Sequence, residues 1–315
     1  MESRKRRIVR NILHHCYQRT ADGVVIFYCI SDYLVFFTIF CTVARKYQVR
    51  ILAMSLMVDH IHLSVIEERK GDLSAFIQEY SSRFSRVHNQ VCQRKGKLFE
   101  HRYGCAPKFG DKKARTNLIY VGNNAPERRL CRQAEEYRWD FLAYAVCEHP
   151  FSETYKANHA TSNLRSARKI IAEKQRKGLP LSYQLLQVLF TRLNRTEKEQ
   201  LVDYIICQYN IIDYSAAIRF FDSYEDMLSA MHASTGSEYD LNEVFIGKSD
   251  AHYARMSALV LNEPGINDIH DVLTLSLAEK FRIFQRLCSK TDALPEQIAA
   301  FLRMPLERAG EKRKQ

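Results

Sequence analysis

The chemistry of this chain starts at two histidines with one residue between them. They lie in Met57-Val58-Asp59-His60-Ile61-His62-Leu63-Ser64-Val65. A strand sends residues i and i+2 to one face. His60 and His62 would then stand side by side, about 7 Å apart along the strand, with Ile61, Leu63 and Val65 facing a core. Two imidazoles on one face can hold a divalent metal once a third ligand arrives. The plain alternative is a short strand with two exposed histidines.

A second group lies about sixty residues on, in Tyr120-Val121-Gly122-Asn123-Asn124. Tyr120 and Asn124 are four apart on a predicted helix and share a face, offering a phenolic nucleophile and an amide oxygen together. A tyrosine ordinarily titrates at about 10, so it needs a metal or basic surroundings to act as an oxyanion. Lys112, Lys113 and Arg115, one or two turns earlier, would supply positive charge there and meet DNA phosphates. Tyr80 is a rival nucleophile, but it falls on the apolar stripe of its helix and reads as core. His101 reads as a surface residue. His14 and His15 fall in a predicted strand, where one of the two would face the same side as the histidine pair. Glu67 and Glu68 read as solvated charges. A histidine-triad hydrolase would need a third histidine where Ser64 stands, which excludes it.

The elements that must position these groups follow from the pattern. The 315 residues suffice for two domains and a sizeable core. Residues 1–10 form a basic arm. Strands are predicted over 11–19, 49–58, 60–67 and 106–109. Helices are predicted over 31–48, capped by Ser31 or Asp32 and largely buried, and from an Asp72 cap to about residue 95. A third helix opens at Lys112. Arg83, Arg86 and Arg94 lie off the apolar stripe of the second helix, available to phosphates. The order β-α-β-β-α-β-α predicts an α+β fold: a ferredoxin-like antiparallel sheet with helices on one face. Beyond residues 1–150, a linker or exposed helix is expected over 151–180 and an all-helical region over 181–315. Within it, helical spacing is clear at 183–193, 197–209 and 273–287. A helix-turn-helix is expected at 294–314, with Arg308 and Arg313 among the residues of its second helix facing DNA.

Composition bounds the partner. A formal net charge of +11 favours a polyanion, nucleic acid first. Nine cysteines with no CxxC pair argue against a zinc ribbon or a disulfide framework and fit a reducing cytoplasm. The apolar runs at 24–30 and 34–44 are both shorter than the roughly 20 residues a membrane span needs. No signal-peptide pattern follows Arg4-Lys5-Arg6-Arg7.

These residues together resemble a known family. Met57 to Leu63 is similar to the Met-Pro-Asn-His-hydrophobic-His-Leu signature of the REP-associated tyrosine transposases and related insertion-sequence transposases, the single-tyrosine HUH group. Tyr120 to Asn124 resembles that family's tyrosine helix. Gly96-Lys97-Leu98-Phe99-Glu100-His101-Arg102-Tyr103 resembles the segment before it, and Tyr137-Arg138-Trp139 its Tyr-Pro-Trp. The likeness spans about residues 10–145. It implies that His60, His62 and Asn124 bind Mg²⁺ or Mn²⁺ and that Tyr120 attacks single-stranded or hairpin DNA to give a 5′-phosphotyrosine. It also implies a homodimer, no nucleotide cofactor and a prokaryotic, nucleoid-associated protein. Two departures stand out: Val58-Asp59 replaces Pro-Asn, and proline falls one place late, at Pro126. A non-catalytic DNA-binding regulator derived from a transposase is the alternative, and a replication initiator or relaxase ranks third.

Overall fold

The computed structural model describes residues 7–100, 103–234, 247 and 249–305. Among them, four strands form one antiparallel sheet in the order β2-β3-β1-β4. β1 is Leu13–Arg19, β2 Val49–Leu56, β3 His60–Glu67 and β4 Gly104–Lys108. β1 is joined to β2 through α1 (Ile30–Ala44), and β3 to β4 through α2 (Asp72–Val91). This is the ferredoxin-like arrangement that the element order predicts.

Alternation along the strands sorts two faces. Cys16, Met54, Leu56, Ile61, Leu63 and Val65 share one core with Phe36, Phe37 and Phe40 of α1 and with Phe76, Tyr80 and Phe84 of α2. So α1 and α2 cover one face, as expected. The other face receives α3 (Asp111–Glu127), whose Ala114, Leu118 and Ile119 meet Leu13 and Leu52. The histidines of β3 and the tyrosine of α3 are therefore brought together by opposite sides of one interface.

Local details refine the reading. Asp72 is the first residue of α2 rather than its cap. Gly71 precedes it at φ 93°, a conformation that glycine adopts without steric cost. The Asp72 carboxylate instead accepts from the backbone N–H of Gln48 at 2.6 Å and from Arg69 at 2.9 Å. Glu67 is not a solvated charge: it is buried, and its Oε1 accepts the otherwise orphaned N–H groups of Gly71 and Leu73 at the start of α2. Tyr80 is core, its hydroxyl donating to Gln18 at 3.1 Å.

The rest of the described chain is helical: α4 (Ser162–Arg176), α5 (Tyr183–Thr191), α6 (Arg195–Tyr209), α7 (Tyr214–Ile218), α8 (Tyr224–Ala233), α9 (Ala251–Val260), α10 (Asp271–Thr274), α11 (Leu277–Lys290) and α12 (Pro295–Leu302). Side-chain caps fix several starts, with Thr161, Ser182, Asn194, Ser223 and Ser276 each accepting a first-turn N–H. α4, α5 and α6 extend the α1 core through Leu164, Ile171, Leu186, Leu201 and Ile205. α9, α11 and α12 enclose a separate cluster that takes in Val25, Tyr28 and Val58. Of the expected helix-turn-helix, the first helix is α12. The second lies outside the described residues, as do Arg308, Arg313 and His101.

Candidate active site

β3 supplies both histidines, and the sheet's register adds a third. His60 and His62 turn towards α3 with ring centroids 4.9 Å apart and planes nearly perpendicular, at 89°. His15 of β1 pairs with Ser64 across the register and so reaches the same face. Its Nε2 lies 3.4 Å from His62 Nδ1. α3 then lays the Tyr120 ring edge-on against both, 5.3 Å from the His15 ring and 5.5 Å from that of His62. All four side chains are buried, Tyr120 and His60 at 5% and 4% exposure.

Two further residues of the sequence complete the surroundings. Asn117, one turn before Tyr120, donates its amide nitrogen to His15 Nδ1 at 2.8 Å and accepts from the Ser64 hydroxyl at 2.9 Å. Asp59 takes His60 Nδ1 at 2.5 Å. Burial pushes the Asp59 carboxyl upward, but the His60 imidazole and the Arg128 guanidinium outweigh it and hold the group below its ordinary value. Burial drives His62 well below its ordinary value, reinforced by His60 and His15, and takes His15 down to about 3.

That chemistry fits a divalent ion. Imidazole ligates as the neutral base, the form that burial favours here. A carboxylate on one ring nitrogen leaves the other as the lone pair, the usual support of a metal-binding histidine. Asp59 does this for His60. The departure of Asp59 from the resembled signature therefore retains a partner for the first histidine. Val58, the other departure, is buried in the cluster of C-terminal helices.

The structure brings Tyr120 against His62, whose ring lies beside that of His60. Asn124 is buried one turn beyond Tyr120, and its amide nitrogen donates to the Tyr120 carbonyl at 2.8 Å. Lys112 and Lys113 are exposed at the start of α3. Arg115 is occupied internally: it ion-pairs with Asp226 at 3.2 Å and lies 4.5 Å over the Phe221 ring. Arg83 is paired with Glu79 at 2.7 Å, and Arg86 is exposed. Tyr137 and Trp139 serve the frame, through a hydroxyl donated to Leu56 O at 2.9 Å and a stack on Tyr33 at 4.2 Å.

Sequence reasoning missed Asn117 and the carboxylate role of Asp59, and left His14 and His15 undecided. A signal existed for Asn117: the spacing 117, 120, 124 places all three residues on one helix face. For the histidine pair of β1, one residue's shift of register would exchange them. His14 in fact faces away, its Nε2 accepting from Val9 N at 3.0 Å.

A second potential ligand group lies elsewhere. Cys29, Asp32 and His270 have ligand atoms within 4.8 Å of one another. Their polar atoms are already committed. Asp32 accepts from the N–H groups of Tyr28 and Cys29, from the Tyr183 hydroxyl and from His270, whose other nitrogen meets Asp268 at 2.6 Å. This group is an ion-paired clasp rather than a vacant donor set.

The fold and site thus define a ferredoxin-like domain with a histidine pair facing a tyrosine helix. Residues 29–124 match the family described as "Transposase IS200 like", which bears out the resemblance for this part of the chain and supports a transposase role. No curated protein matches the chain. A solved structure described as "Structure of the REP associates tyrosine transposase bound to a REP hairpin" is 14% identical, covering 51% of this chain and 96% of that one, with a TM-score of 0.41. Among the described residues, no helix is long and apolar enough to cross a membrane.

Proposed function

We propose that the chain is a metal-dependent single-stranded DNA transesterase, a transposase in which Tyr120 is the nucleophile. The observation that carries this reading is the packing of the Tyr120 ring against His62 and His15, beside His60, in one buried site. Tyr120 Oη attacks a backbone phosphorus. The P–Oη bond forms as the P–O3′ bond breaks, the phenol loses its proton, and the departing 3′-oxygen gains one. The product is a 5′-phosphotyrosine and a free 3′-hydroxyl. Attack by a DNA 3′-hydroxyl reverses the chemistry and joins strands, so no nucleotide cofactor is consumed.

His60, His62 and Asn124 would hold Mg²⁺ or Mn²⁺. Bound there, the ion would polarise the scissile phosphate and stabilise charge on the leaving oxygen. Asp59 and His15 orient the two imidazoles. Lys112 and Lys113, at the exposed start of the tyrosine helix, meet phosphates of single-stranded or hairpin DNA, and the net charge of +11 draws the strand in. In this reading residues 1–150 are the catalytic unit, the helices beyond 181 contact DNA, and the protein acts as a homodimer.

The test incubates purified protein with Mn²⁺ or Mg²⁺ and labelled single strands tiling the flanks of its own gene. A covalent protein–DNA adduct that survives denaturing electrophoresis and disappears with chelator is expected. Tight binding to a strand without any adduct, in either metal, would turn the reading to a DNA-binding regulator.

A further inference from the structure

His60 and His62 are supported by different kinds of group. Asp59 can only accept when ionised, so it fixes the proton of His60 on Nδ1. His62 Nδ1 faces another imidazole, that of His15, and behind it stand Asn117 and Ser64. Every member of that row can both donate and accept.

The row therefore has two directions. In the one present, Ser64 Oγ–H donates to Asn117 Oδ1, and Asn117 Nδ2–H donates to His15 Nδ1. His15 then carries its proton on Nε2 and presents it to His62 Nδ1. A neutral His62 accepting there keeps its own proton on Nε2. In the other direction the Asn117 amide is turned over, and its oxygen accepts from His15 Nδ1–H. His15 Nε2 becomes the lone pair and accepts from His62 Nδ1–H. Only this second direction leaves His62 Nε2 as a lone pair.

We propose that His15, oriented by Asn117, is a positioning residue that sets which ring nitrogen of His62 carries the proton, and hence whether His62 can ligate a cation. The site then combines one histidine fixed for ligation by a carboxylate with one that must be switched by an amide. The link to cation binding rests on the proposed function; the control of the His62 proton does not.

Two variants separate this from a merely structural role. Asn117→Asp supplies only acceptors, so it enforces the second direction. Asn117→Leu removes the bias altogether. The first readout is nitrogen NMR of full-length, metal-free protein with labelled histidines, which distinguishes protonated from bare ring nitrogens, with the His62 signals assigned from the spectrum of His62→Gln. His62 is expected as Nε2–H in the wild type and Nδ1–H in Asn117→Asp. The second readout is Mn²⁺ binding, followed through the signal of free Mn²⁺. Asn117→Asp is expected to bind at least as tightly as wild type. His15→Leu, which takes away the acceptor for His62 Nδ1–H, should bind about ten- to a hundredfold more weakly, and Asn117→Leu should fall between His15→Leu and Asn117→Asp. His15→Gln, which restores an acceptor, should recover part of the loss, and it serves alone if His15→Leu does not fold.

An unchanged His62 proton in Asn117→Asp would overturn the proposal. So would equal weakening in Asn117→Asp and Asn117→Leu, or wild-type Mn²⁺ binding in His15→Leu. If the wild type binds no Mn²⁺, the metal reading under the proposed function fails, and the NMR comparison still decides the role of His15.

Discussion

Asp32 and His270 meet at 2.9 Å although 238 positions separate them in the chain. Both are buried, and the pair locks the start of α1 to the segment that leads into α10. Burial opposes the charge on each partner. On His270 it is outweighed by the Asp32 and Asp268 carboxylates, which raise its pKa to about 10. On Asp32 it is outweighed chiefly by His270, which lowers it to about 2.

Removing one partner of a buried pair strands the other charge. Asp32→Ala should destabilise the protein by roughly 3–5 kcal/mol, read from urea unfolding. The sign with pH follows from the two shifts. The raised His270 contributes fully below its ordinary 6.5 and loses that contribution as pH climbs through about 10. The lowered Asp32 contributes above its ordinary 3.8 and loses it as pH falls through about 2. The gap between wild type and Asp32→Ala should be widest between those ordinary values and should narrow towards pH 10. A gap that does not change with pH would contradict the clasp.

Asp59 predicts a graded effect on metal binding. Asp59→Ala leaves His60 Nδ1 without its carboxylate and should weaken Mn²⁺ binding about 10- to 100-fold. Asp59→Asn keeps an acceptor and should lose less. Calorimetric titration orders the three proteins, and an Asn variant as weak as the Ala variant would deny the orientation role.

The lysines at the head of α3 should act on affinity for any sequence alike. Replacing both Lys112 and Lys113 by Ala should weaken single-strand binding. It should also lower the magnitude of the log–log salt slope by roughly 1.4, at about 0.7 per phosphate neutralised. Fluorescence anisotropy across a salt series checks it, and an unchanged slope would place the DNA elsewhere.

Gly104 faces Tyr17 across the β1–β4 pair, and a Cβ added there would fall 2.0 Å from the tyrosine ring. Gly104→Ala should therefore cost roughly 1–3 kcal/mol, the usual scale of overpacking. Thermal unfolding measures it. A neutral result would mean that the ring moves aside freely.

Much of this architecture was legible in the sequence because the period of the pattern reports local structure. β3 runs from His60 to Glu67 as read, since two-residue alternation admits only one pairing of faces there. α3 was anchored by its run from Lys112 to Asn124, and the ferredoxin-like antiparallel sheet followed from the sequence of elements. The long-range relationships were not legible. Nothing local to Asp32 announces His270, and nothing local to Val58 announces helices some two hundred residues later. His15 was ambiguous because adjacent histidines in a strand differ only in face. Arg115 looked like a phosphate ligand because its partner, Asp226, is joined to it only by the fold.

The central claim is tested most directly by end-labelled single strands with wild type and Tyr120→Phe in Mn²⁺. Label at the 3′ end should become covalently attached to the wild-type protein, because the nucleophile keeps the 5′-phosphate of the downstream fragment. Label at the 5′ end should leave as a free fragment ending in a 3′-hydroxyl. Tyr120→Phe should bind the strand and form no adduct. An adduct with Tyr120→Phe, or one carrying the 5′ label, would contradict the account.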